Sequence, residues 1–184
     1  MKNSYAVNLG LSLAGIGIVV FLLMAILQGS IWVSVVLGLI SLGFTIYLPI
    51  RFTKNQRRDQ GGVISFKEVF TTAMIGLVLS ALITFAFSFV YVNYIDTGYV
   101  DRQVETSVKG TMKWLEGNMA DEQMEEILRE TEEKTREGFT PMGMVKSFGI
   151  YIVIYAIFSL ILAAVIKNEP ETMVSSGDEE LIDR

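Results

Sequence analysis

Residues 69–95 contain no charged side chain, and this stretch limits the folds open to the chain more than any other feature. As a helix it would be about 40 Å long, enough to cross the roughly 30 Å hydrocarbon layer of a bilayer. Three further apolar runs lie at about 5–27, 31–50 and 145–166. The sequence therefore predicts an all-α integral membrane protein, with four spans in a single membrane domain over 1–184.

The entrance to the third span carries the tetrapeptide Ser65-Phe66-Lys67-Glu68, which fits the S-x-x-E capping box. In this motif the hydroxyl of Ser65 accepts from the amide of Glu68, and the carboxylate of Glu68 accepts from the amide of Ser65. We interpret Ser65 and Glu68 as a helix cap. Ion binding by Glu68 is the alternative, but charges in membrane helices indicate function mainly when they lie deep.

Small side chains recur at intervals of three or four residues in the spans, so they share one helix face. Such faces allow a neighbouring helix to approach closely, and we interpret them as packing seams. A polar conduit lined by their hydroxyl groups is the alternative. The seam residues are Gly10, Ala14, Gly17, Gly38, Ser41, Gly76, Ser80, Ala156 and Ala163.

Basic residues follow the second span, which we expect Pro49 to close. Lys and Arg are enriched in cytoplasmic loops, so we interpret this cluster as a topology signal rather than a contact for lipid headgroups or nucleic acid. An even number of spans then places both termini in the cytoplasm and 96–143 in the periplasm. The residues of the signal are Arg51, Lys54, Arg57 and Arg58.

The segment 96–143 is acidic, and its apolar residues fall at helical intervals on either side of Gly117-Asn118. We predict an extramembrane helical hairpin there, followed after the fourth span by a disordered acidic tail at 169–184. A helical-bundle metal site would normally combine Glu with His, and the chain has neither His nor Cys. The glutamates therefore indicate a solvated charged face, and we predict no metal, no cofactor and no catalytic residues.

Several segments in order along the chain resemble a bacterial family of small four-span membrane proteins known only as a domain of unknown function. The segments are 61–70 (GGVISFKEVF), 94–96 (YID), 121–127 (DEQMEEI) and 163–167 (AAVIK), the last followed by Pro170. Thr97 departs from the pattern, where proline is expected. The resemblance implies a location in the inner membrane of diderm bacteria, and it brings no activity and no site residues.

These features favour a non-enzymatic accessory or scaffold subunit that binds other membrane or envelope proteins. A small oligomeric transporter or channel is the alternative, although carriers usually place a charged residue near the midplane. A membrane enzyme ranks last, because without His or Cys only Asp or Glu with Ser or Lys remain. The expected partners are the lipid bilayer and other membrane proteins or further copies of the chain, with no nucleic acid.

Overall fold

A computed structural model describes residues 2–27, 31–116 and 121–168. These residues form six α-helices and one π-helical turn, and they contain no β-strand beyond an isolated bridge. The all-α fold predicted from the sequence is confirmed. The helices are α1 (Lys2–Ile26), α2 (Ile31–Asp59), α3 (Phe66–Val90), α4 (Tyr99–Leu115), α5 (Asp121–Gly138) and α6 (Pro141–Ile166), and the π turn is Tyr91–Ile95.

Four segments are long and apolar enough to cross a membrane, which confirms the four-helix membrane architecture. They are Ser4–Ile26, Trp32–Asp59, Phe66–Ile95 and Pro141–Ile166. Helices α4 and α5 pack together as a hairpin between the third and fourth of these segments. The predicted break at Gly117-Asn118 and the predicted disordered tail at 169–184 lie outside the described residues.

Helix α2 continues through Pro49 and ends at Asp59, so the prediction that this proline closes the helix is wrong. Proline inside a helix removes a backbone hydrogen bond and costs about 3 kcal/mol. Here Pro49 is fully buried, and Thr53 donates its hydroxyl to the Pro49 carbonyl (Oγ1–O 2.7 Å). Packing of this turn against the bundle offsets the loss. The basic residues expected in a loop therefore lie on the last turns of α2.

Two helix starts are capped by side chains, and the first of them is the predicted cap at Ser65 and Glu68. The amide of Glu68 donates to Ser65 Oγ (3.3 Å), and the amide of Ser65 donates to Glu68 Oε2 (3.2 Å), which completes the capping box. At the start of α6, the amide of Gly143 donates to Thr140 Oγ1 (3.0 Å), with Pro141 at the first helical position. These bonds satisfy amides that a helix start would otherwise leave unpaired.

Helix α3 is the centre of the bundle, packing most extensively against α1 and next against α6. Glycines bring α1 and α3 together: a Cβ added to Gly76 would lie 2.6 Å from Leu9 Cδ2, and one added to Gly10 would lie 3.0 Å from the Gly76 carbonyl oxygen. A Cβ on Gly17 would lie 2.9 Å from Thr84 Oγ1. The small residues of these two helices therefore line their mutual contact.

The remaining seam residues differ in how closely they are packed. Ala14 and Ala163 are buried, whereas Ser80 and Ala156 are half-buried. On α2, Ser41 is half-buried, and a Cβ added to Gly38 would meet no atom within 4 Å. Among the described residues Gly38 therefore has no close helix contact, and its place in a packing seam stays a prediction. Residue spacing identifies a small face, but it does not determine whether another helix covers that face.

Helix α2 packs against the bundle through its second half. Its buried residues are Leu48, Pro49, Thr53 and Gln56, and no residue from 32 to 47 is buried. Two ends of the bundle can thus be distinguished. At one end, α3, the π turn, α4 and the α5–α6 link come together, and we call this the hairpin end. At the other end, the α2–α3 link contacts Asn168, and we call this the clasp end.

Candidate functional site at the hairpin end

Aromatic rings from α1, α3, the π turn, α4 and the α5–α6 link meet at the hairpin end. Phe21 lies 5.3 Å from Tyr91 and 5.4 Å from Tyr99 between ring centroids, and Tyr99 lies 5.5 Å from Phe139. Phe87 contacts both Phe21 and Tyr91. Each such pair is worth about 0.5–1.5 kcal/mol beyond the area it buries. This aromatic cluster fixes the start of the hairpin to the ends of α1 and α3.

The π turn at Tyr91–Ile95 changes the direction of the chain as it leaves α3. Asn93 donates its side-chain amide to the Phe89 carbonyl (2.8 Å), and the Asp96 amide bonds the Tyr91 carbonyl (2.8 Å). Sequence reasoning did not anticipate this turn. Its nearest signal is Asn93, an amide side chain at the end of an otherwise apolar run, able to bond a backbone carbonyl.

Ion pairs connect the elements of the hairpin end to one another. Asp96 pairs with Arg102 and joins the π turn to α4. Arg136 on α5 bonds Asp101 on α4 (Nη1–Oδ1 2.7 Å), and Lys146 on α6 bonds Glu137 (2.6 Å). The Lys146 ammonium lowers the pKa of the Glu137 carboxyl through this hydrogen bond. These pairs are exposed and individually weak, so they orient elements that the aromatic cluster already holds.

The pKa values of two further groups at the hairpin end are shifted, for different reasons. Burial raises the pKa of the Tyr99 phenol, whose oxygen accepts from the Gln103 amide (3.2 Å). Hydrogen bonds to Asp101 and Glu132 raise the pKa of the Arg136 guanidinium. Both groups therefore keep their ordinary protonation state at neutral pH, with the phenol neutral and the guanidinium charged.

A cleft of about 400 Å³ opens where these elements converge. It combines apolar surface with an amide, two hydroxyl groups and one guanidinium, a set suited to recognition through shape and hydrogen bonds. Its lining residues include no nucleophile paired with a general base. They are Val92, Asn93, Thr97, Val100, Arg136, Phe139, Thr140 and Pro141.

Three glutamates of α5 are paired with basic residues along the same helix. Glu130 bonds Lys134 (2.7 Å), and Glu132 bonds Arg136 (3.0 Å), each across one helical turn. Hydrogen bonding to Lys134 lowers the pKa of Glu130. Among the described residues, no three Asp or Glu side chains are grouped so as to hold a metal ion. The arrangement is that of a solvated charged face.

The other sequence-predicted residues lie at the clasp end, away from the cleft. Gly61 and Gly62 have φ angles of +78° and +93°, and their amides bond the carbonyls of Arg58 (3.2 Å) and Arg57 (2.9 Å), closing α2. Arg57 Nε also donates to the Gly62 carbonyl (3.0 Å), so this residue has a structural contact besides its charge. The remaining basic residues of the predicted topology signal, Arg51, Lys54 and Arg58, are exposed.

An antiparallel bridge between Ile64 and Asn168 completes the clasp end. Their backbone groups exchange two hydrogen bonds (3.1 and 3.0 Å), and the Asn168 side chain donates to the Gly62 carbonyl (3.1 Å). The start of α3 is thereby joined to the end of α6. The segment 61–68 thus has a structural account, as it closes α2, pairs with the end of α6 and caps α3.

Two buried polar features within the bundle were also missed from sequence. Thr72 donates its hydroxyl to Gln56 Oε1 (2.8 Å), and both side chains are buried. Ser159 on α6 is fully buried, and its Oγ has no hydrogen-bond partner among the described residues. Neither position carries a local signal, because each depends on which face of its helix meets a neighbour.

A family model described as a protein of unknown function (DUF4199) matches residues 8–168. The chain belongs to this DUF4199 family. The matched region begins within α1 and includes the rest of that helix, the other three spanning helices, the hairpin and the clasp end. Comparison of the DUF4199 chain with curated proteins and with solved structures found no match.

Proposed function

We propose that this DUF4199 protein is a non-enzymatic accessory or scaffold subunit of the bacterial inner membrane. Its hairpin end binds another membrane or envelope protein. The observation that carries the proposal is the cleft, with its mixed lining, held at the junction of three spans and the hairpin by the aromatic cluster. A surface fixed in this way loses little conformational entropy when a partner binds.

The polar groups inside the bundle support a structural role over transport. Among the described residues, the buried polar side chains are Thr53, Gln56, Thr72 and Ser159, none of which is ionisable. Coupled carriers usually place ionisable groups within their spans. The hydroxyl-bearing residues of α3 also serve packing, since Thr72 bonds Gln56 and Thr84 packs at Gly17.

The proposed orientation places the basic end of α2 in the cytoplasm and the hairpin in the periplasm. The support is the cluster of exposed Arg51, Lys54 and Arg58 on the last turns of α2, as the positive-inside rule expects. A reporter that is active only in the cytoplasm should work when fused after Arg184. A silent cytoplasmic reporter, with an active periplasmic reporter at the same position, would show the reverse orientation.

Site-specific photocrosslinking in native membranes tests the proposed partner surface. Crosslinkers at Thr97 in the cleft and at Glu126 on α5 should each give a discrete protein adduct, whereas one at Leu39, an exposed residue of α2, should give none. The protein should also co-purify in mild detergent with a stoichiometric partner. The substitution Thr97→Trp should fill the cleft and release that partner.

The matched control for the filled cleft is Asn55→Trp, which places the same side chain at an exposed position near the clasp end. Partner binding should survive this change. A preparation that contains only this chain, with no adduct at Thr97 or Glu126, would contradict the proposed function.

A further inference from the structure

The basic side chains at the two ends of the molecule differ in what they contact. Between residues 96 and 146, every Lys and Arg except Lys113 forms an ion pair with Asp or Glu. At the clasp end, no basic side chain forms an ion pair within the described part of the chain. We call these side chains the basic patch, and they are Arg51, Lys54, Arg57, Arg58, Lys67 and Lys167.

The two carboxylates near the basic patch have other donors. Asp59 accepts a hydrogen bond from the Tyr5 hydroxyl of α1. Glu68 accepts from the amide (3.2 Å) and the hydroxyl (3.1 Å) of Ser65 in the capping box. Across residues 51–68 and 167–168, six basic and two acidic side chains leave a net charge of +4. The clasp end is therefore a positively charged surface whose cations are not neutralised by these carboxylates.

Three residues of the basic patch continue an exposed apolar stripe of α2. Steps of three and four residues place Arg51, Lys54 and Arg58 within about 60° of one another around the helix. The buried side chains of Thr53 and Gln56 lie on the opposite side. Earlier on the cationic face, large apolar side chains are exposed, and in a spanning helix such side chains are covered by lipid chains. They are Ile40, Phe44 and Tyr47.

The basic patch also lies at the depth of the lipid headgroups. The apolar run of α2 ends at Ile50, and Lys54 lies about 6 Å further along the helix axis. The headgroup layer is about 5–8 Å deep on each side of the hydrocarbon, a distance that Lys and Arg side chains can span. Lys67 directly precedes the capping Glu68 at the start of α3, and Lys167 directly follows the last residue of α6.

Hydrogen bonds of the clasp end hold these cations together. Arg57 Nε (3.0 Å) and the Asn168 side-chain amide (3.1 Å) both donate to the Gly62 carbonyl. The guanidinium of Arg57 has further N–H donors, and these have no acceptor among the described residues. A second copy of the chain related by a twofold axis through this surface would bring like charges together, which is unfavourable. An anionic occupant satisfies both the charge and the free donors.

We propose that the basic patch binds the headgroups of anionic phospholipids, whose acyl chains lie along the exposed stripe of α2. The headgroup phosphate accepts charge-assisted hydrogen bonds from Lys and Arg. The positive-inside rule explains the side of the membrane on which cations lie, but it requires neither their alignment with the apolar stripe nor their lack of ion pairs. Lipid binding therefore adds to the predicted topology signal, and it is independent of any partner in the cleft.

Native mass spectrometry of the full-length protein in a nonionic detergent measures bound lipid. Phosphatidylglycerol and phosphatidylcholine with the same acyl chains are added in equal amounts, so that only the headgroup differs. We expect phosphatidylglycerol to be retained preferentially. Each basic residue near an anionic lipid contributes about fivefold to binding. The triple variant Arg51→Gln/Lys54→Gln/Arg58→Gln should therefore retain at least about tenfold less phosphatidylglycerol, with phosphatidylcholine unchanged.

The matched control removes three exposed charges from the hairpin, through Lys109→Gln, Arg129→Gln and Lys134→Gln. Its preference for phosphatidylglycerol should equal that of the unsubstituted protein. Thermal unfolding of the unsubstituted protein gives a measurement that needs no variant. Phosphatidylglycerol should raise the unfolding midpoint more than phosphatidylcholine does, and glycerol 3-phosphate, which has the phosphate but no acyl chain, should leave it unchanged.

Four outcomes would overturn the proposal. Equal retention of the two lipids by the unsubstituted protein would show that the headgroup charge is not recognised. An equal loss of phosphatidylglycerol in both triple variants would assign binding to overall charge. Stabilisation by glycerol 3-phosphate as large as that by phosphatidylglycerol would indicate a site for a soluble phosphate compound. A discrete protein adduct from a photocrosslinker at Phe44 in native membranes would show that a protein covers this face of α2.

Discussion

Glycine has different consequences at two positions of the spanning helices. Gly76 of α3 lies against Leu9, which is fully buried, whereas a Cβ added to Gly38 of α2 would meet no described atom within 4 Å. A side chain at Gly76 must displace Leu9 or separate α1 from α3. The close approach of these two helices is therefore the part of the bundle most sensitive to added volume.

The substitution Gly76→Val should destabilise the folded protein by about 1–3 kcal/mol through overpacking. The matched control Gly38→Val should change stability much less, since no atom of the described residues lies within 4 Å of its added Cβ. Thermal unfolding of both variants in the same detergent measures the difference. Equal losses would show that α1 and α3 are not packed as described.

Two buried hydroxyl groups predict effects of opposite sign. Thr72→Val leaves Gln56 Oε1 without its donor and should cost about 1–3 kcal/mol. Ser159→Ala removes an oxygen that has no partner among the described residues, and it should be neutral or stabilising. Unfolding midpoints of the two variants test the pair. Destabilisation by Ser159→Ala would mean that the Ser159 hydroxyl has a hydrogen-bond partner in the membrane-inserted protein.

At the scale of elements, the joint between α5 and α6 depends on pH. The pKa of Glu137 is lowered in the folded state by Lys146, so the pair stabilises the fold when the carboxyl is ionised. This contribution is present above the ordinary glutamate pKa of 4.5 and disappears as the pH falls through the lower, folded-state pKa.

The variant Glu137→Gln should therefore unfold at a slightly lower temperature than the unsubstituted protein at neutral pH. The two midpoints should converge in acid, below the folded-state pKa. Thermal unfolding across this pH range provides the measurement, with Glu125→Gln, an exposed residue of α5, as the control. A difference that persists unchanged in acid would assign the effect to something other than the ion pair.

Element ends show where local sequence is informative and where it is not. The caps at Ser65 and Thr140 could be predicted because the interacting atoms lie within three residues of each other. The continuation of α2 through Pro49 could not be predicted, because it depends on burial of that turn by other helices. The π turn after α3 is likewise coupled to distant residues, since Tyr91 packs on Phe21 of α1.

At the scale of the whole molecule, Tyr99 is a central contact between the hairpin and the spanning helices. Tyr99 contacts rings from α1, the π turn and the α5–α6 link. Tyr99→Ala should remove about 3–5 kcal/mol of this packing, by analogy with large aromatic truncations. The hairpin should then detach while the four spans remain folded.

Limited trypsin digestion in detergent measures this detachment, through faster cleavage at Arg129 and Lys134 on α5. The control is Tyr94→Ala, which truncates a tyrosine that is mostly exposed and should leave the cleavage rate unchanged. Equal rates in the Tyr99 variant and the unsubstituted protein would mean that other contacts suffice to dock the hairpin.

The overall architecture was readable from sequence, because four long apolar runs and an acidic segment differ strongly in composition. The cleft could not be predicted from sequence, because its lining comes from the π turn, α4, the end of α5 and the start of α6. Residues such as Val100 and Phe139 look like ordinary apolar positions on their own elements. Only the tertiary arrangement places them on one surface.

The clasp between Gly62 and Asn168 has a consequence for biosynthesis, since its two halves are 106 residues apart. During translation Gly62 is synthesised long before Asn168. Helix α3 is therefore inserted before the hydrogen bonds between its start and Asn168 can form. The hydrogen bonds of the clasp end can form only after the last span has been inserted. In a chain arrested before that stage, the backbone N–H and C=O of Ile64 would lack their bonds to Asn168. These unpaired groups would distinguish an incomplete product from a finished one.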